Sequence, residues 1–410
     1  MCARPRRSFR AATIVDHMSS VATPYWRLAA FYFFFFAVVG GLVPYWGAYL
    51  RSLGFGAAAI GELIAILYAT KIIAPNIWGW LADHSGRRMA TVRLASLVAA
   101  VAFAGMLYAQ SYVRLALLMA LFGFFWNAAL PQFEANTMNH LGANDHHYSR
   151  IRLWGSMGFI AAVTVLGELT DRMGLHIVPW ALLLLVTGLA GASLVAPSAP
   201  AQLSDASHEP FRRVLLRPNV LGFLVACYLL QASHGPFYVF YSIYLADHGY
   251  SGMAIGALWA VGVLAEIMVF LKMHSWLPRF GPRRLMTAAL ALAVVRWTLV
   301  GAFPDWILLQ IMAQLLHAGT FGVYHAVAIS LINRFFTGPN QGRGQALYSS
   351  LTFGAGVASG SLASGYLWST FGEAPTWYVA AALAATGTVL AARSLPQGRW
   401  AVSLPSQRSV

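Results

Sequence analysis

Long apolar stretches alternate with short polar connections along almost the whole chain. A membrane-spanning helix needs about 20 mainly apolar residues. Five stretches of roughly this length contain no Asp, Glu, Lys or Arg: 28–50, 94–113, 177–196, 218–246 and 374–392. Seven more carry one or a few charges: 57–82, 114–139, 149–169, 252–276, 285–303, 306–333 and 345–369. The pattern therefore predicts an all-α integral membrane protein with twelve transmembrane helices.

The connections between these stretches are short except for one, which is rich in Ala, Pro and Ser. Such a composition is typical of a linker. The predicted organisation is a basic cytoplasmic tail, a first six-helix half, a cytoplasmic linker, a second six-helix half and a cytoplasmic tail: 1–24, 25–196, 197–217, 218–395 and 396–410.

Composition agrees with a membrane protein, since 59% of the 410 residues are hydrophobic and only 10% are charged. Soluble domains average about 25% charged residues. The net charge of +14 could indicate a nucleic-acid partner, but basic residues also collect in the cytoplasmic loops of membrane proteins. Of the 27 Lys and Arg residues, 21 fall on the side of the chain termini and three on the other. This asymmetry predicts that both termini are cytoplasmic and excludes nucleic acid as a partner.

The sequence repeats itself at an offset of 195 residues. Residues 49–61 read YLRSLGFGAAAIG and residues 244–256 read YLADHGYSGMAIG, with six identities in register. The same offset aligns Gly86 with Gly281. Parallel six-helix repeats place a substrate site between the halves, near the bilayer midplane.

Several titratable side chains fall inside predicted spans, where a charge needs a partner or a water-filled cavity. These are Lys71, Glu266, Arg296, His317 and His325. The repeat places Lys71 and Glu266 at equivalent depths in opposite halves, which suggests a charge pair across or beside a central cavity. Such a pair is either static or involved in moving protons or substrate. A buried carboxyl group binds a proton more readily than one in water, which favours Glu266 as a proton carrier.

Aromatic side chains form a stripe along the predicted seventh span: His234, Phe237, Tyr238, Tyr241 and Tyr244. One interpretation is ordinary packing. The other is a cavity wall suited to a flat, partly apolar substrate. His234, Tyr238 and Tyr241 are therefore candidate substrate contacts.

The loop after the second predicted span carries a ten-residue motif, Gly79-Trp-Leu-Ala-Asp83-His-Ser-Gly86-Arg87-Arg88. Gly79 allows close helix approach, Gly86 permits a tight turn, and the arginines can pair with Asp83. The motif matches the G-x-x-x-D-x-x-G-R-[RK] signature of the major facilitator superfamily. This resemblance implies the facilitator fold of two pseudo-symmetric six-helix halves, a gating role for the motif, and a monomer that transports by alternating access.

Five further stretches resemble the phenylpropionate permease branch of the bacterial facilitators: 150–156, 229–234, 262–266, 295–297 and 316–321. The resemblance implies import of 3-phenylpropionate-like acids with protons across a bacterial inner membrane.

A more distant resemblance is to lactose permease. The segment around Glu134 is similar to the part of that permease carrying a sugar-binding glutamate, and Arg152 is similar to the partner arginine. Arg296 and His317 resemble a further arginine and histidine of the same protein.

One departure from lactose permease concerns the proton. Its proton-carrying glutamate falls at Thr320 in this chain, and a threonine cannot carry a proton. Either Glu266 takes the proton, or the coupling differs, or there is no coupling. We expect the first, with His317 and Arg296 modulating Glu266.

The sequence thus predicts a proton-coupled importer of a small aromatic carboxylate. Lys71, Arg296 or Arg152 would attract the carboxylate, while the aromatic stripe and Trp154 hold the ring. Neither a cofactor nor a metal is expected, and no enzyme-type nucleophile or metal spacing is present. A sugar or nucleoside symporter, suggested by Glu134 with Arg152, and an exporter of drugs or metabolites remain open.

Overall fold

The computed structural model describes residues 24–142, 147–199 and 210–395. Twelve long helices form this part of the chain: α1 Tyr25–Ser52, α2 Ala57–Ser85, α3 Arg88–Met106, α4 Tyr112–Leu141, α5 Tyr148–Met173, α6 Ile177–Val195, α7 Pro218–Asp247, α8 Gly252–Phe280, α9 Pro282–Ala302, α10 Ile307–Phe335, α11 Pro339–Ser349, Ser350–Gly356 and Val357–Phe371 taken together, and α12 Glu373–Ser394. A short helix, Phe211–Leu215, precedes α7. The predicted tails and the centre of the predicted linker lie outside the described residues.

Eleven of these helices are long and apolar enough to cross a bilayer. The remaining one, α11, is interrupted by a π-helical turn at Ser350–Gly356. A second π-helical turn lies in α10 at Ala318–Val323. π-Helical turns inside α-helices are rare and are frequent at functional sites. The prediction of twelve spans is therefore confirmed.

One predicted span was misplaced. The stretch 94–113 was expected to be a single span, but α3 ends at Met106 and α4 begins at Tyr112. The connection, residues 107–111, contains neither a charge nor Gly or Pro. Hydropathy alone could not mark the turn.

Helices of each half pack mainly against one another, for example α1 with α5 and α9 with α12. The halves contact each other mainly through three pairs of helices: α1 with α7, α2 with α11, and α5 with α8. Glycines allow the closest approaches within the second half. A Cβ atom at Gly360 would lie 2.1 Å from the carbonyl oxygen of Ala232, so α11 and α7 pack backbone to backbone there, as small residues permit in membrane helices.

The repeat is visible in the backbone. Gly54 and Gly249, one repeat apart, follow α1 and α7 with φ of 90° and 81°. Such left-handed conformations favour glycine because it lacks a Cβ atom. The two halves thus turn at equivalent points.

The bundle has two faces, named here by the chain. The terminal face carries Pro24 and Leu395, and the distal face is the opposite one. At the distal face, Arg51 Nη1 of α1 pairs with Asp247 Oδ2 of α7 at 2.6 Å. Asp171, at the end of α5, accepts hydrogen bonds from the backbone N–H groups of Gly252 (2.6 Å) and Met253 (2.9 Å). A carboxylate of one half therefore caps the N-terminus of α8 in the other, where it also meets the positive end of the helix dipole.

A third distal contact centres on Glu62 of α2. Its carboxylate accepts a hydrogen bond from Tyr112 of its own half at 2.7 Å and another from Tyr366 of α11 in the other half. Together with the other two contacts, it closes the distal face.

Replacing Asp171 with Ala should loosen the distal face. A lost helix cap costs about 1 kcal/mol, which corresponds to a roughly fivefold rise in the ratio of distal-open to distal-closed molecules. Spin labels on cysteines at Leu53 and Trp306, exposed residues of opposite halves, would report this as a larger long-distance population. The matched control is Asp305→Ala, because the partner of Asp305, His248, belongs to its own half. Equal distance distributions for the Asp171 variant and the unmodified protein would show that Asp171 does not hold the distal face closed.

Candidate functional site

Three charged side chains of the first half lie within electrostatic range of one another. Lys71 comes from α2, Glu134 from α4 and Arg152 from α5, and Glu134 interacts electrostatically with both cations. Glu134 Oε1 accepts a hydrogen bond from the hydroxyl of Tyr148 at 3.1 Å. Within the described residues, neither Lys71 nor Arg152 has a carboxylate oxygen within 4.0 Å. Both cations thus have capacity for another anion.

Aromatic rings support these two cations. The guanidinium carbon of Arg152 lies 3.8 Å from the ring centre of Phe36 and 5.8 Å from that of Tyr32. Lys71 Nζ lies 5.3 Å from the ring centre of Phe353, which belongs to the π-helical turn of α11 in the other half. Cation–π contacts of this kind are worth about 0.5–2 kcal/mol. They hold the cations in place without neutralising them.

A second group of side chains lies in the other half. Glu266 of α8 faces His317 of α10, with 3.7 Å between the carboxylate Oε2 and Nε2 of the ring. The other ring nitrogen of His317, Nδ1, lies 3.0 Å from Arg296 Nη1 of α9. Glu266 also interacts electrostatically with Arg152, so the two groups lie within electrostatic range of each other across the half-to-half boundary.

The repeat suggested that Lys71 and Glu266 form a pair. In the structure, Lys71 interacts with Glu134 and Glu266 interacts with His317 and Arg152. Equivalent depth in the two halves therefore did not translate into direct contact, because each side chain turns toward partners on its neighbouring helices.

The predicted aromatic stripe of α7 lies mostly inside the second half. The helix bends at His234, whose ring packs edge-on against Trp297 at 4.9 Å. Tyr241 is fully buried and donates a hydrogen bond to Gln310 Oε1 at 3.3 Å. Tyr238 alone of the three candidate contacts has a ring partner across the boundary, Tyr68 of α2, at 6.0 Å. The stripe therefore places Tyr238, rather than His234 or Tyr241, at the junction of the halves.

His325 belongs to a column of rings on α10. Phe321 stacks on His317 at 5.3 Å and on His325 at 5.9 Å. His325 also interacts electrostatically with Arg152 and Lys71. The predicted site residue His325 thus lies beside the central charges.

Trp154 is placed elsewhere. Its indole Nε1 donates a hydrogen bond to the hydroxyl of Tyr25 at 3.0 Å, and its ring lies 5.4 Å from that of Trp26. Both partners begin α1 at the terminal face. Trp154 lies two positions after Arg152, about 200° around the helix, so the two side chains point in different directions.

The ten-residue motif from Gly79 to Arg88 forms a local structure at the terminal face. Arg88 Nη2 pairs with Asp83 Oδ1 at 2.7 Å, and Gly86 ends α2 with φ of 64°. Arg87 is exposed. A Cβ atom at Gly79 would meet only an ordinary contact at 3.5 Å, so close helix approach does not require a glycine there. The tight turn and the pairing are as expected, and the packing role of Gly79 is not.

Sequence reasoning missed the groups that hold the central charges. Nothing in the sequence distinguishes these residues: Tyr148 bonds to Glu134, Phe36 lies against Arg152, and Gln314 accepts a hydrogen bond from Arg296. In each case the two partners belong to different helices. The missing signal was helical phase, since only side chains on inward faces can meet.

The comparisons with known proteins point to one family. Residues 25–379 match the model of the MFS_1 like family. The chain is 30% identical to the "Probable 3-phenylpropionic acid transporter" of Escherichia coli (strain K12), covering 86% of this chain and 93% of that protein. It is 29% identical to the maltose permease of Geobacillus stearothermophilus, covering 82% and 86%. The structure is also similar to a crystal structure of the nucleoside transporter NupG, with TM-score 0.76, 17% identity and 90% and 97% coverage.

Proposed function

The chain belongs to the MFS_1 like family of membrane transporters, and from that premise we propose that it imports a small aromatic monocarboxylate together with protons. The terminal face is then cytoplasmic, in keeping with the excess of basic residues on that side. The described conformation is closed to the outside, because the cross-half contacts of Arg51, Asp171 and Glu62 lie at the distal face.

The observation that carries this proposal is the charge balance of the site. Lys71, Arg152 and Arg296 are cations, whereas Glu134 and Glu266 are carboxylates. With both carboxylates ionised, one positive charge is left over. An uncompensated charge is costly inside a membrane protein, and one substrate carboxylate would neutralise it.

Arg152 and Lys71 are better placed than Arg296 to receive the substrate carboxylate. Arg296 is fully buried, and its guanidinium lies between the rings of Phe237 (4.2 Å) and Trp297 (4.5 Å). Arg152 and Lys71 are partly exposed and lie at the boundary between the halves. An arginine can bind a carboxylate through two parallel hydrogen bonds, so Arg152 is the proposed primary ligand.

Aromatic walls next to these cations suit a flat substrate ring. Phe36 lies beside Arg152, Phe353 beside Lys71, and Tyr68 and Tyr238 stack across the boundary. Offset stacking between aromatic rings is worth about 0.5–1.5 kcal/mol beyond the area buried. The name of the Escherichia coli relative supports the same class of substrate.

Glu266 is the proposed proton carrier. It is a carboxyl group between the halves with an exposed side-chain fraction of 15%, close to both Arg152 and His317. Protonation of Glu266 raises the positive charge of the site from one to two, which strengthens its attraction for a substrate anion. The site with both proton and anion then carries the same single positive charge as the empty site, and the two would cross together as the two halves rock.

The direct test is uptake of labelled 3-phenylpropionate into proteoliposomes under an imposed inward proton gradient. We expect accumulation that a protonophore abolishes. Lys71→Gln should lower this uptake, because Lys71 is one of the proposed cations for the substrate carboxylate. The matched control is Lys272→Gln, because Lys272 is exposed on α8 and its replacement should leave uptake unchanged. An absence of uptake by folded protein under these conditions would contradict the proposed substrate.

A sugar is the second candidate. The arrangement of Glu134 with Arg152 and Tyr148 offers hydroxyl-binding groups, and maltose permease is among the relatives. Competition of uptake by neutral sugars, but not by aromatic acids, would favour this alternative.

A further inference from the structure

The hydrogen bond between Arg296 and His317 determines which nitrogen of the imidazole carries a proton. Arg296 Nη1 and His317 Nδ1 lie 3.0 Å apart. A guanidinium group only donates hydrogen bonds, so Nδ1 must accept. The ring proton of His317 is then on Nε2, the nitrogen that faces Glu266 Oε2 across 3.7 Å.

Arg296 has little freedom to release this bond. Its guanidinium also donates to Thr320 Oγ1 at 3.2 Å and to Gln314 Oε1 at 3.5 Å. The rings of Phe237 and Trp297 cover it on α7 and α9. Packing of α7, α9 and α10 therefore holds the Arg296 guanidinium in its orientation. This group donates hydrogen bonds but neither accepts nor releases a proton.

The other titratable groups around His317 agree with a neutral ring. Arg296 faces it from α9 and Glu266 from α8, while the ring of His234 on α7 lies 6.4 Å away. His234 Nδ1 lies 2.8 Å from the carbonyl oxygen of Leu230, so that Nδ1 donates and His234 keeps its own proton there. A second proton on His317 would set an Nδ1–H donor against the N–H donor of Arg296. The proton therefore goes to Glu266 instead.

We propose that Arg296 acts as a positioning residue that keeps His317 neutral with its proton on Nε2, so that His317 presents a fixed N–H donor toward Glu266, 3.7 Å away, and is not a proton carrier. Glu266 then takes its proton from cavity water and returns it to cavity water, and His317 neither gains nor loses one. The consequence for transport rests on the proposed function, whereas the state of the ring does not.

The state of the ring can be measured without transport. In protein labelled with ¹⁵N-histidine, the His317 signals are identified by their loss in His317→Gln. We expect long-range ¹H–¹⁵N spectra to show a neutral ring protonated on Nε2 between about pH 5.5 and 8. A ring protonated on Nδ1, or a charged ring at pH 6 to 7, would overturn the proposal whatever the substrate proves to be.

A pair of amide replacements separates the donor role from mere packing. In His317→Gln the amide N–H can reach the place of Nε2, whereas in His317→Asn it reaches only the place of Nδ1. We expect proton-driven accumulation within about threefold of the unmodified protein for Gln and a loss of at least about tenfold for Asn, with similar thermal stability. Equal loss in both folded variants would overturn the donor role. If the unmodified protein itself fails to accumulate solute, that result contradicts the proposed function. The spectra would still determine the protonation state and tautomer of the His317 ring.

A conservative change at Arg296 gives the independent readout. Arg296→Lys retains a donor for Nδ1, and Arg296→Met removes it. We expect the His317 signals of the Met variant to titrate between pH 5.5 and 8 and those of the Lys variant to stay neutral. A Met variant whose ring stays neutral and protonated on Nε2 would show that Arg296 does not set the tautomer.

Discussion

Glu266→Gln should exchange substrate across the membrane but fail to accumulate it against a gradient. Glutamine has nearly the same shape as glutamate but cannot bind and release a proton. With Gln at this position, the proton gradient can no longer drive substrate uptake. The ratio of internal to external substrate concentration should therefore fall to about one. The two measurements are proton-driven uptake and counterflow between loaded and unloaded proteoliposomes.

A matched control for this prediction is Glu168→Gln. Glu168 pairs with Arg172 at 2.5 Å on the exposed end of α5, far in sequence from Glu266 and outside the central set. It should leave both uptake and counterflow unchanged. Normal accumulation by the Glu266 variant would rule out Glu266 as the proton carrier. Loss of both accumulation and counterflow would instead assign Glu266 to substrate binding.

Arg152→Gln should weaken substrate binding more than any other single change in the first half. Removing one partner of a partly buried, hydrogen-bonded charge pair costs about 2–5 kcal/mol, which corresponds to a rise in Kd of roughly 30-fold to several thousand-fold. Arg152→Lys should fall in between, because lysine keeps the charge but not the two-point geometry. Titration calorimetry of 3-phenylpropionate with the purified protein measures both.

The control for Arg152 is Arg172→Gln on the same helix, since Arg172 is exposed and paired only with Glu168 among the residues described. Its Kd should match that of the unmodified protein. A Kd for Arg152→Gln within about threefold of the unmodified protein would move the carboxylate site to Lys71. The proton role of Glu266 would be unaffected by that result.

Much of the fold could be predicted from the residues alone. Hydropathy placed eleven of the twelve spans close to their observed bounds, and it misplaced 94–113 because the turn at 107–111 has no charge, Gly or Pro. The repeat aligns Gly54 with Gly249, and both adopt a positive φ in the structure. The π-helical turn that interrupts α11 could not be predicted from hydropathy, since the segment SLTFGAG contains neither a charge nor a proline.

The site was harder to predict, as three residues illustrate. The repeat suggested a charge pair of Glu266 with Lys71 across or beside a central cavity, but the observed partner of Glu266 is His317, which the sequence had grouped with it for proton coupling. Trp154 was expected at the substrate, but it bonds to Tyr25 at the start of α1. Asp171 drew no attention as a surface acid, although it caps a helix 81 residues further along the chain.

The sequence by itself determined that this chain is a membrane-embedded bundle of twelve helices, built as a repeat and carrying an unusual set of charges at membrane depth. These properties follow from the number, length and polarity of the segments. Bilayer thickness sets the length of a span, and the cost of burying a charge makes each charge inside a span stand out. Only the tertiary structure decided which charges meet, which cations stay unpaired, and which nitrogen of His317 faces Glu266. Those outcomes depend on the rotation and relative depth of helices that are far apart in the chain, and a few tenths of a turn move a side chain from one partner to another.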